Sequence, residues 1–276
     1  MNPVALPYTL LIVLLELAAG GVTVATTFDA RRMVTRGYVQ AGALVNLPLA
    51  LGALALVLTV APAADIDGYA LAEAWRAPLQ AAALAFTLAL AALVVATFAL
   101  GRPARVALGA LASMLGVAVL VALAGLIAPP TASFAIALAS LLVGSAVLGG
   151  ALMAMSWGHW YLTNSGLPKE PLEQMSLLVL VAVVASLGLG VLGLVLSPRE
   201  PPIASEVTIA LVANPAFWLR VLVGLLFPIL LATLAWRAAS VRGMMSATGL
   251  LYLALGAVLA GELMARGLLF ATGMLV

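Results

Sequence analysis

The chain consists mainly of long, uninterrupted apolar runs, and this feature limits its fold more than any other. Eight such runs follow one another, separated by short joints that carry charged residues or prolines. A bilayer core takes about 20 apolar residues per helix, and 65% of the 276 residues are hydrophobic while only 8% are charged. This balance excludes a water-soluble domain. We therefore expect an all-α integral membrane protein with eight transmembrane helices.

The predicted spans cover residues 6–28, 38–61, 78–100, 104–128, 132–162, 172–196, 214–236 and 244–276. Alanine and leucine fill these runs without an alternation of apolar and polar positions, which excludes a β-barrel. The first run has no basic leader before it and no small-residue cleavage site, so we expect it to be kept as a helix. A single membrane domain over residues 1–276 follows. Because cysteine is absent, the chain offers no thiolate ligands for zinc or iron–sulfur clusters.

Positive charges are distributed unevenly over the predicted loops, which indicates an orientation. The loops after the first, third, fifth and seventh spans carry eight of them, namely Arg31, Arg32, Arg36, Arg102, Arg105, Lys169, Arg237 and Arg242. The opposite loops carry two, Arg76 and Arg199. This asymmetry predicts that the first set of loops is cytoplasmic and that both termini are periplasmic. The predicted location is the cytoplasmic (inner) membrane, and nothing in the charge balance suggests nucleic acid.

The two halves of the chain contain similar stretches. ELAAGGVTVAT in the first span resembles SAVLGGALMAM in the fifth, LGVAVLVALAG in the fourth resembles LGAVLAGELMA in the eighth, and Pro62 and Pro198 end the second helix of each half. Tandem four-helix halves, residues 1–130 and 131–276, would share one orientation and be related by an axis along the membrane normal. Chance similarity between Ala/Leu-rich helices remains an equal alternative. The glycine clusters at Gly20-Gly21, Gly149-Gly150 and Gly188, Gly190 and Gly193 predict close helix packing.

Four charged residues stand out well inside the predicted spans: Glu16, Arg220, Glu262 and Arg266. A charge within the hydrocarbon is costly and usually faces a partner or a cavity. Glu262 and Arg266 are one helical turn apart, so they can pair on one helix face. Two interpretations stay open at this point. The charges either lock helices together, or they form a proton-accepting carboxylate beside a cationic anchor at a ligand site.

His159 is the only histidine, in the stretch SWGHWYL. One histidine cannot supply bis-histidine haem ligation, and ligation with Met153 or Met155 is less favoured than an interfacial histidine that bonds headgroup water or a partner chain. The neighbouring aromatic residues Trp157, Trp160 and Tyr161 fit an interfacial belt. The candidates for contact with a partner or ligand are His159, Trp157 and Trp160. The sequence has no Walker loop, no HExxH and no Ser/His/Asp set, so hydrolytic or nucleotide-driven activity has no support.

The closing stretch LAGELMARGLLFATGM resembles the last helix of the membrane anchor subunit of dimethyl-sulfoxide reductase, within the wider polysulfide-reductase group of anchors. The shared pattern is the pair Gly261-Glu262, then Arg266-Gly267 one turn on, then an aromatic residue. ELAAGG and FWLRVLVGLL are similar to the family's first and seventh helices. After the second helix, where the family has a histidine implicated in quinol oxidation, this chain has LTVAPAAD.

The resemblance implies a haem-free, metal-free subunit that binds menaquinone or another quinone. It would exchange electrons with a ferredoxin-like iron–sulfur subunit, itself joined to a molybdopterin catalytic subunit on the outer face. Glu262 or Glu16 would take or give the quinol proton, while Arg220 and Arg266 would hold a carbonyl oxygen or stabilise the carboxylate. The alternatives are a proton-coupled secondary transporter that uses the same charges and a structural assembly subunit without a ligand.

Overall fold

The computed structural model describes residues 5–60, 65–66, 69–128, 134–164, 166–196 and 211–276. Within these residues, eight helices are long and apolar enough to cross a membrane. They are α1 Leu6–Ala30, α2 Arg36–Thr59, α3 Arg76–Ala99, α4 Arg102–Ile127, α5 Phe134–Thr163, α6 Glu170–Leu196, α7 Pro215–Ser240 and α8 Met244–Thr272. The predicted multi-pass helical membrane protein is confirmed at this level.

The ends of the helices agree with the predicted spans to within two residues, apart from the ends of α7 and α8, which each differ by four. Helix α2 begins at Arg36 because the hydroxyl of Thr35 accepts a hydrogen bond from the amide of Tyr38. Helix α8 ends before Gly273, which has a φ of 69°, a left-handed conformation that stops a helix and that glycine adopts without strain. The predicted eighth span, residues 244–276, is therefore four residues too long at its C-terminal end.

A short two-stranded ribbon lies in the connection between α2 and α3. Strand β1, Asp65–Ile66, pairs antiparallel with β2, Tyr69–Ala70. The hydroxyl of Tyr69 donates a hydrogen bond of 2.5 Å to the carbonyl of Ile127, at the end of α4. Burial raises the pKa of Tyr69 well above its ordinary value, so the phenol keeps the proton that this bond needs. Two-residue strands leave no periodic signal, and the sequence did not predict them.

The helices of each half pack in the same order. In the first half α1 contacts α2 and α4, α2 contacts α3, and α3 contacts α4; α5, α6, α7 and α8 repeat these contacts in the second half. The halves meet mainly where α1 packs on α5, and α1 also contacts α8. The internal repeat stays a prediction, because neighbour relations do not give the axis between the halves. Pro62, Pro198 and Arg199 lie outside the described residues, as do residues 61–64 of the stretch LTVAPAAD.

Glycines set the closest approach between the halves. A Cβ on Gly149 would overlap the backbone of Gly20, so α1 and α5 touch along their main chains. The prediction of close packing is confirmed for these two glycines. It is wrong for Gly188, where an added Cβ would meet nothing within 4 Å. Helix α1 is the most enclosed span: 78% of the residues in an 18-residue apolar stretch of it are buried. Helix α6 is the least enclosed, with 28%.

Candidate functional site

The four charged residues predicted inside the membrane lie together in one buried chain of ion pairs. Nη1 of Arg220 donates a hydrogen bond of 2.9 Å to Oε1 of Glu262. The other oxygen of Glu262, Oε2, lies 3.2 Å from Nη2 of Arg266, and this same Nη2 donates to Oε1 of Glu16. All four residues are at most 3% exposed. We call this set, in the order Arg220, Glu262, Arg266 and Glu16, the ionic chain.

The ionic chain joins the first helix to the last two. Arg220 comes from α7, Glu262 and Arg266 come from α8, and Glu16 comes from the middle of α1. The pairing of Glu262 with Arg266 along one face of α8 is confirmed. The pairs between helices could not be deduced from spacing along the chain, because they depend on how α1, α7 and α8 pack.

Two local features place Arg220 against α8. Gly224 and Gly261 touch through their backbones, since a Cβ on either would overlap the Cα of the other. This contact brings α7 close to α8 beside Glu262. In addition, residues Leu222–Leu226 form a turn of π-helix inside α7. One residue extra per turn rotates the segment before it by about 100° relative to the segment after it. With this rotation, the side chain of Arg220 is buried inside the bundle, as are Gly224 and Leu225 in the turn.

Two serines extend the ionic chain, and the sequence analysis did not find them. Nη1 of Arg266 donates a hydrogen bond of 2.9 Å to Oγ of Ser140 on α5, and Nη2 of Arg220 donates one of 2.7 Å to Oγ of Ser186 on α6. Serine in a helix commonly bonds back to its own backbone, so a serine within an apolar span gives no distinctive signal. Five of the eight helices thus contribute a side chain to the site.

A glycine on α5 leaves room for the pair at the end of the ionic chain. A Cβ on Gly144 would overlap Oε1 of Glu16 and come within 2.6 Å of Nη2 of Arg266. The absence of a side chain at this position lets the carboxylate and the guanidinium lie against the helix backbone. Gly144 therefore belongs to the site for a steric reason, and no motif in the sequence identified it.

A small pocket lies at the Arg220 end of the ionic chain. Its polar lining consists of Ser140, Ser186 and Arg220, and its apolar lining includes Ile136, Leu189 and Leu275. The pocket has room for about one water-sized group. Ile136, Ser140 and Leu189 are partly exposed, so this side of the pocket lies near the surface of the bundle, at α5 and α6.

The charges of the ionic chain balance one another. Two guanidinium groups and two carboxylates, counted as ionised, sum to zero, which is the arrangement expected of charges in a low-dielectric interior. The two carboxylates are not equivalent, since Glu262 lies between two guanidinium groups whereas Glu16 has one. Among the described residues, four buried atoms of the ionic chain have no hydrogen-bond partner: Oε2 of Glu16, Oε2 of Glu262, Nε of Arg220 and Nε of Arg266. Such atoms can hold a proton or bind a polar group.

The aromatic and histidine candidates on α5 lie apart from the ionic chain. Trp157 is 17 residues beyond Ser140, about 25 Å along the helix. Its side chain is fully buried and packs edge-on against Tyr38 at 5.0 Å between ring centroids. The prediction of an interfacial Trp157 is therefore wrong, because α2 covers the indole. Trp160 is half-buried on the same helix, where a Cβ on Gly37 would meet its ring.

His159 is exposed at the surface of the bundle, as an interfacial residue would be. Its Nδ1 lies 3.0 Å from the hydroxyl of Tyr252 on α8, which the sequence did not predict. Within the described part of the chain, no three or more His, Asp or Glu residues are grouped so that they could hold a metal ion.

A second group of charges lies at the ends of α1 and α4 and holds these helices together. Nε and Nη2 of Arg105 donate hydrogen bonds of 2.7 and 2.8 Å to the two carboxylate oxygens of Asp29, and Arg102 also pairs with Asp29. The sequence analysis used both arginines only as indicators of orientation. Their pairing with a buried aspartate gives them a structural role as well.

Comparison with protein-family models, with curated proteins and with solved structures found no match for this chain.

Proposed function

We propose that this chain is the quinone-binding membrane anchor subunit of a multi-subunit iron–sulfur molybdoenzyme in the cytoplasmic membrane. It exchanges electrons between the menaquinone pool and an iron–sulfur partner subunit on the outer face. The observation that carries the proposal is the buried ionic chain, with a polar pocket at one end near the surface of the bundle.

The resemblance to the anchor of dimethyl-sulfoxide reductase supports the proposal through residues that the site contains. Glu262 and Arg266 of the Gly-Glu and Arg-Gly pairs form the middle of the ionic chain. Gly261 makes the backbone contact that brings α7 close to Glu262. The arginine of the family-like seventh helix, Arg220, is the residue that reaches the pocket. The residues on which the resemblance is based therefore lie together in one site.

The polar groups of the pocket fit a quinone headgroup, whose carbonyl oxygens accept hydrogen bonds. Hydroxyl and guanidinium donors are both present, and the remaining lining is apolar, as a quinone ring requires. The pocket as it stands admits an oxygen atom and not a whole ring. Entry of a ring would therefore need the α6 side of the pocket, at Leu189, to move outward toward the lipid.

Quinol supplies two electrons and two protons on oxidation, and the electrons would pass to the iron–sulfur cluster of the partner subunit. The role of this chain is to bind the headgroup and to accept the protons. Glu262 and Glu16 are the carboxylates available inside the membrane for that purpose, and the guanidinium groups of Arg220 and Arg266 hold them in position through ion pairs.

One observation favours a second candidate, a structural assembly subunit. Each of the four buried charges has an opposite charge as its partner, which is sufficient to explain why α1, α7 and α8 keep them. A proton-coupled transporter is the third candidate, supported by the same carboxylates. The three candidates differ in what the chain binds and in what it purifies with.

The test begins with purification of the tagged chain in a mild detergent and identification of its partners. We expect a ferredoxin-like iron–sulfur subunit and a molybdopterin subunit, and quinol-dependent electron transfer by the complex. Glu262→Gln should lower turnover by about 10²- to 10⁴-fold, as is typical for loss of acid–base catalysis. The matched control is Glu73→Gln, which makes the same change at a carboxylate outside the spans.

Protein level is measured for each variant, so that a folding defect is not mistaken for lost chemistry. Proton-coupled solute uptake by the chain alone in liposomes would support the transporter instead. A complex that forms normally and neither binds nor oxidises quinol would support the assembly subunit.

A further inference from the structure

Two of the hydrogen-bond donors that line the pocket are hydroxyl groups. The guanidinium groups of Arg220 and Arg266 already donate to carboxylates and to Ser186 and Ser140. Each serine oxygen accepts a bond from a guanidinium and keeps its own proton, which it donates to no described residue. Because both serines line the pocket, two hydroxyl protons are available to a single ligand there.

The guanidinium bonds also make the two hydroxyls better donors. A hydroxyl oxygen that accepts a bond from a cation is polarised, and bonds in such a chain strengthen one another. The distances of 2.7 Å to Ser186 and 2.9 Å to Ser140 are those of strong bonds. Nε of Arg220 is buried and has no partner among the described residues, so it is a third hydrogen-bond donor in addition to the two serine hydroxyls.

The charge balance of the ionic chain determines which ligand suits these donors. Counted with both carboxylates ionised, its two cations and two anions cancel, so an anionic or cationic ligand would add an uncompensated charge to a low-dielectric site. A neutral ligand adds none. The pocket has room for about one oxygen atom, while Ile136, Leu189 and Leu275 offer apolar surface to whatever carries that oxygen.

We infer that Ser140 and Ser186 bind the carbonyl oxygen of a neutral ring ketone whose apolar body lies along α5 and α6, on the lipid side. This inference rests on the proposed function and refines it, because it assigns the headgroup contact to two serines. The arginines polarise the hydroxyls through their hydrogen bonds to the serine oxygens.

The experiment uses the purified full-length chain in nanodiscs, with 2-methyl-1,4-naphthoquinone as the probe and protein-free nanodiscs as the blank. Binding is measured by equilibrium partition, and the carbonyl stretch of carbonyl-¹³C-labelled probe is followed by infrared spectroscopy. Wild type should bind the probe with a carbonyl band at lower frequency than in lipid, since a hydrogen bond weakens the C=O bond. The anion 2-naphthoate, of similar ring size, should compete poorly.

Ser140→Ala and Ser186→Ala should each weaken binding by about two- to tenfold, the range expected for one hydrogen bond, and should shift the band back toward its lipid value. Ser176→Ala is the control, since Ser176 is also buried on α6 but does not line the pocket. Its binding and carbonyl band should match wild type. Both serine changes leave the charges intact, so the bundle should fold.

Probe binding that survives in the double variant Ser140→Ala with Ser186→Ala, with an unchanged carbonyl band, would refute the role of the serines and leave the proposed function standing. Equal or tighter binding of 2-naphthoate would refute the neutral ligand class. No binding of the quinone to wild type would overturn both the inference and the proposed function.

Discussion

Glu16 in α1 and Arg266 in α8 form an ion pair inside the bundle although 250 residues separate them in the chain. The pair joins the first span to the last and also joins the two halves. Arg266 is shared with Glu262, so the carboxylate of α1 is coupled through α8 to Arg220 on α7. A substitution of any one of these residues therefore changes the electrostatic environment of the other three.

Loss of Arg266 should destabilise the protein strongly. Arg266→Met leaves Glu16 and Glu262 with only one guanidinium between them, and removing one member of a buried pair typically costs about 3–5 kcal/mol. Adding Glu16→Leu removes the unpaired carboxylate and keeps the pair of Arg220 and Glu262, so most of the stability should return. Unfolding in mixed micelles, with sodium dodecyl sulfate as denaturant and circular dichroism as the signal, measures the difference.

A second double variant controls for the loss of charge itself. Glu262→Leu with Arg266→Met also removes one charge of each sign, but it leaves Arg220 and Glu16 without their partners. We expect it to stay destabilised. Equal stability of the two double variants would contradict the pairing order of the ionic chain.

The contact of Gly20 with Gly149 should make the seam between α1 and α5 intolerant of larger residues. In Gly149→Ala the added methyl would overlap the backbone of Gly20, and overpacking of this kind costs about 1–3 kcal/mol. Gly188→Ala is the matched control, because its methyl meets nothing within 4 Å and alanine favours a helix by about 1 kcal/mol. The same unfolding assay should separate the two, and equal effects would argue against the seam.

The distribution of loop arginines predicts the orientation of the chain. Alkaline phosphatase, which is active only in the periplasm, should be active when fused after Val276 and inactive when fused in the connection between α7 and α8, next to Arg242. A fluorescent protein that folds only in the cytoplasm should give the reverse pattern. Phosphatase activity at Arg242 alone would reverse the orientation and move the proposed partner subunits to the other face.

The purified chain should show no Soret band and no bound iron. His159 contacts the hydroxyl of Tyr252, and Met153 is fully buried against other residues of the bundle. Absorption spectroscopy and metal analysis of the purified chain test this expectation. A stoichiometric b-type spectrum that disappears in His159→Ala would favour a cytochrome over a haem-free anchor.

The sequence predicted the spans and the buried charges because lipid constrains both strongly. Twenty apolar residues in a row have few alternatives, and a carboxylate among them needs a partner. The pairing of Glu262 with Arg266 followed from their spacing on one helix. These predictions depend on single helices or on the solvent, and neither requires knowledge of how the helices pack.

The contacts between helices were not predictable in the same way. In a membrane the lipid-facing and the inward-facing sides of a helix are both apolar, so the sequence does not show which side faces a neighbour. For this reason the bond from Arg220 to Ser186 was missed, and Trp157 was assigned to the interface although α2 covers it. The π-turn was missed as well, because Leu222–Leu226 has the composition of the rest of α7.

That π-turn sets how the start of α7 is rotated relative to the rest of the helix. The residues before the turn follow the requirements of the ionic chain, whereas those after it follow the packing of α6 and α8. Deletion of one residue within Leu222–Leu226 would keep the span and its hydrophobicity while it turned Arg220 away from Glu262. Sequence variants of this protein that lack one residue at that point should therefore keep the membrane fold and lose the ionic chain. The length of this helix can then serve as a marker of which related sequences keep the ionic chain.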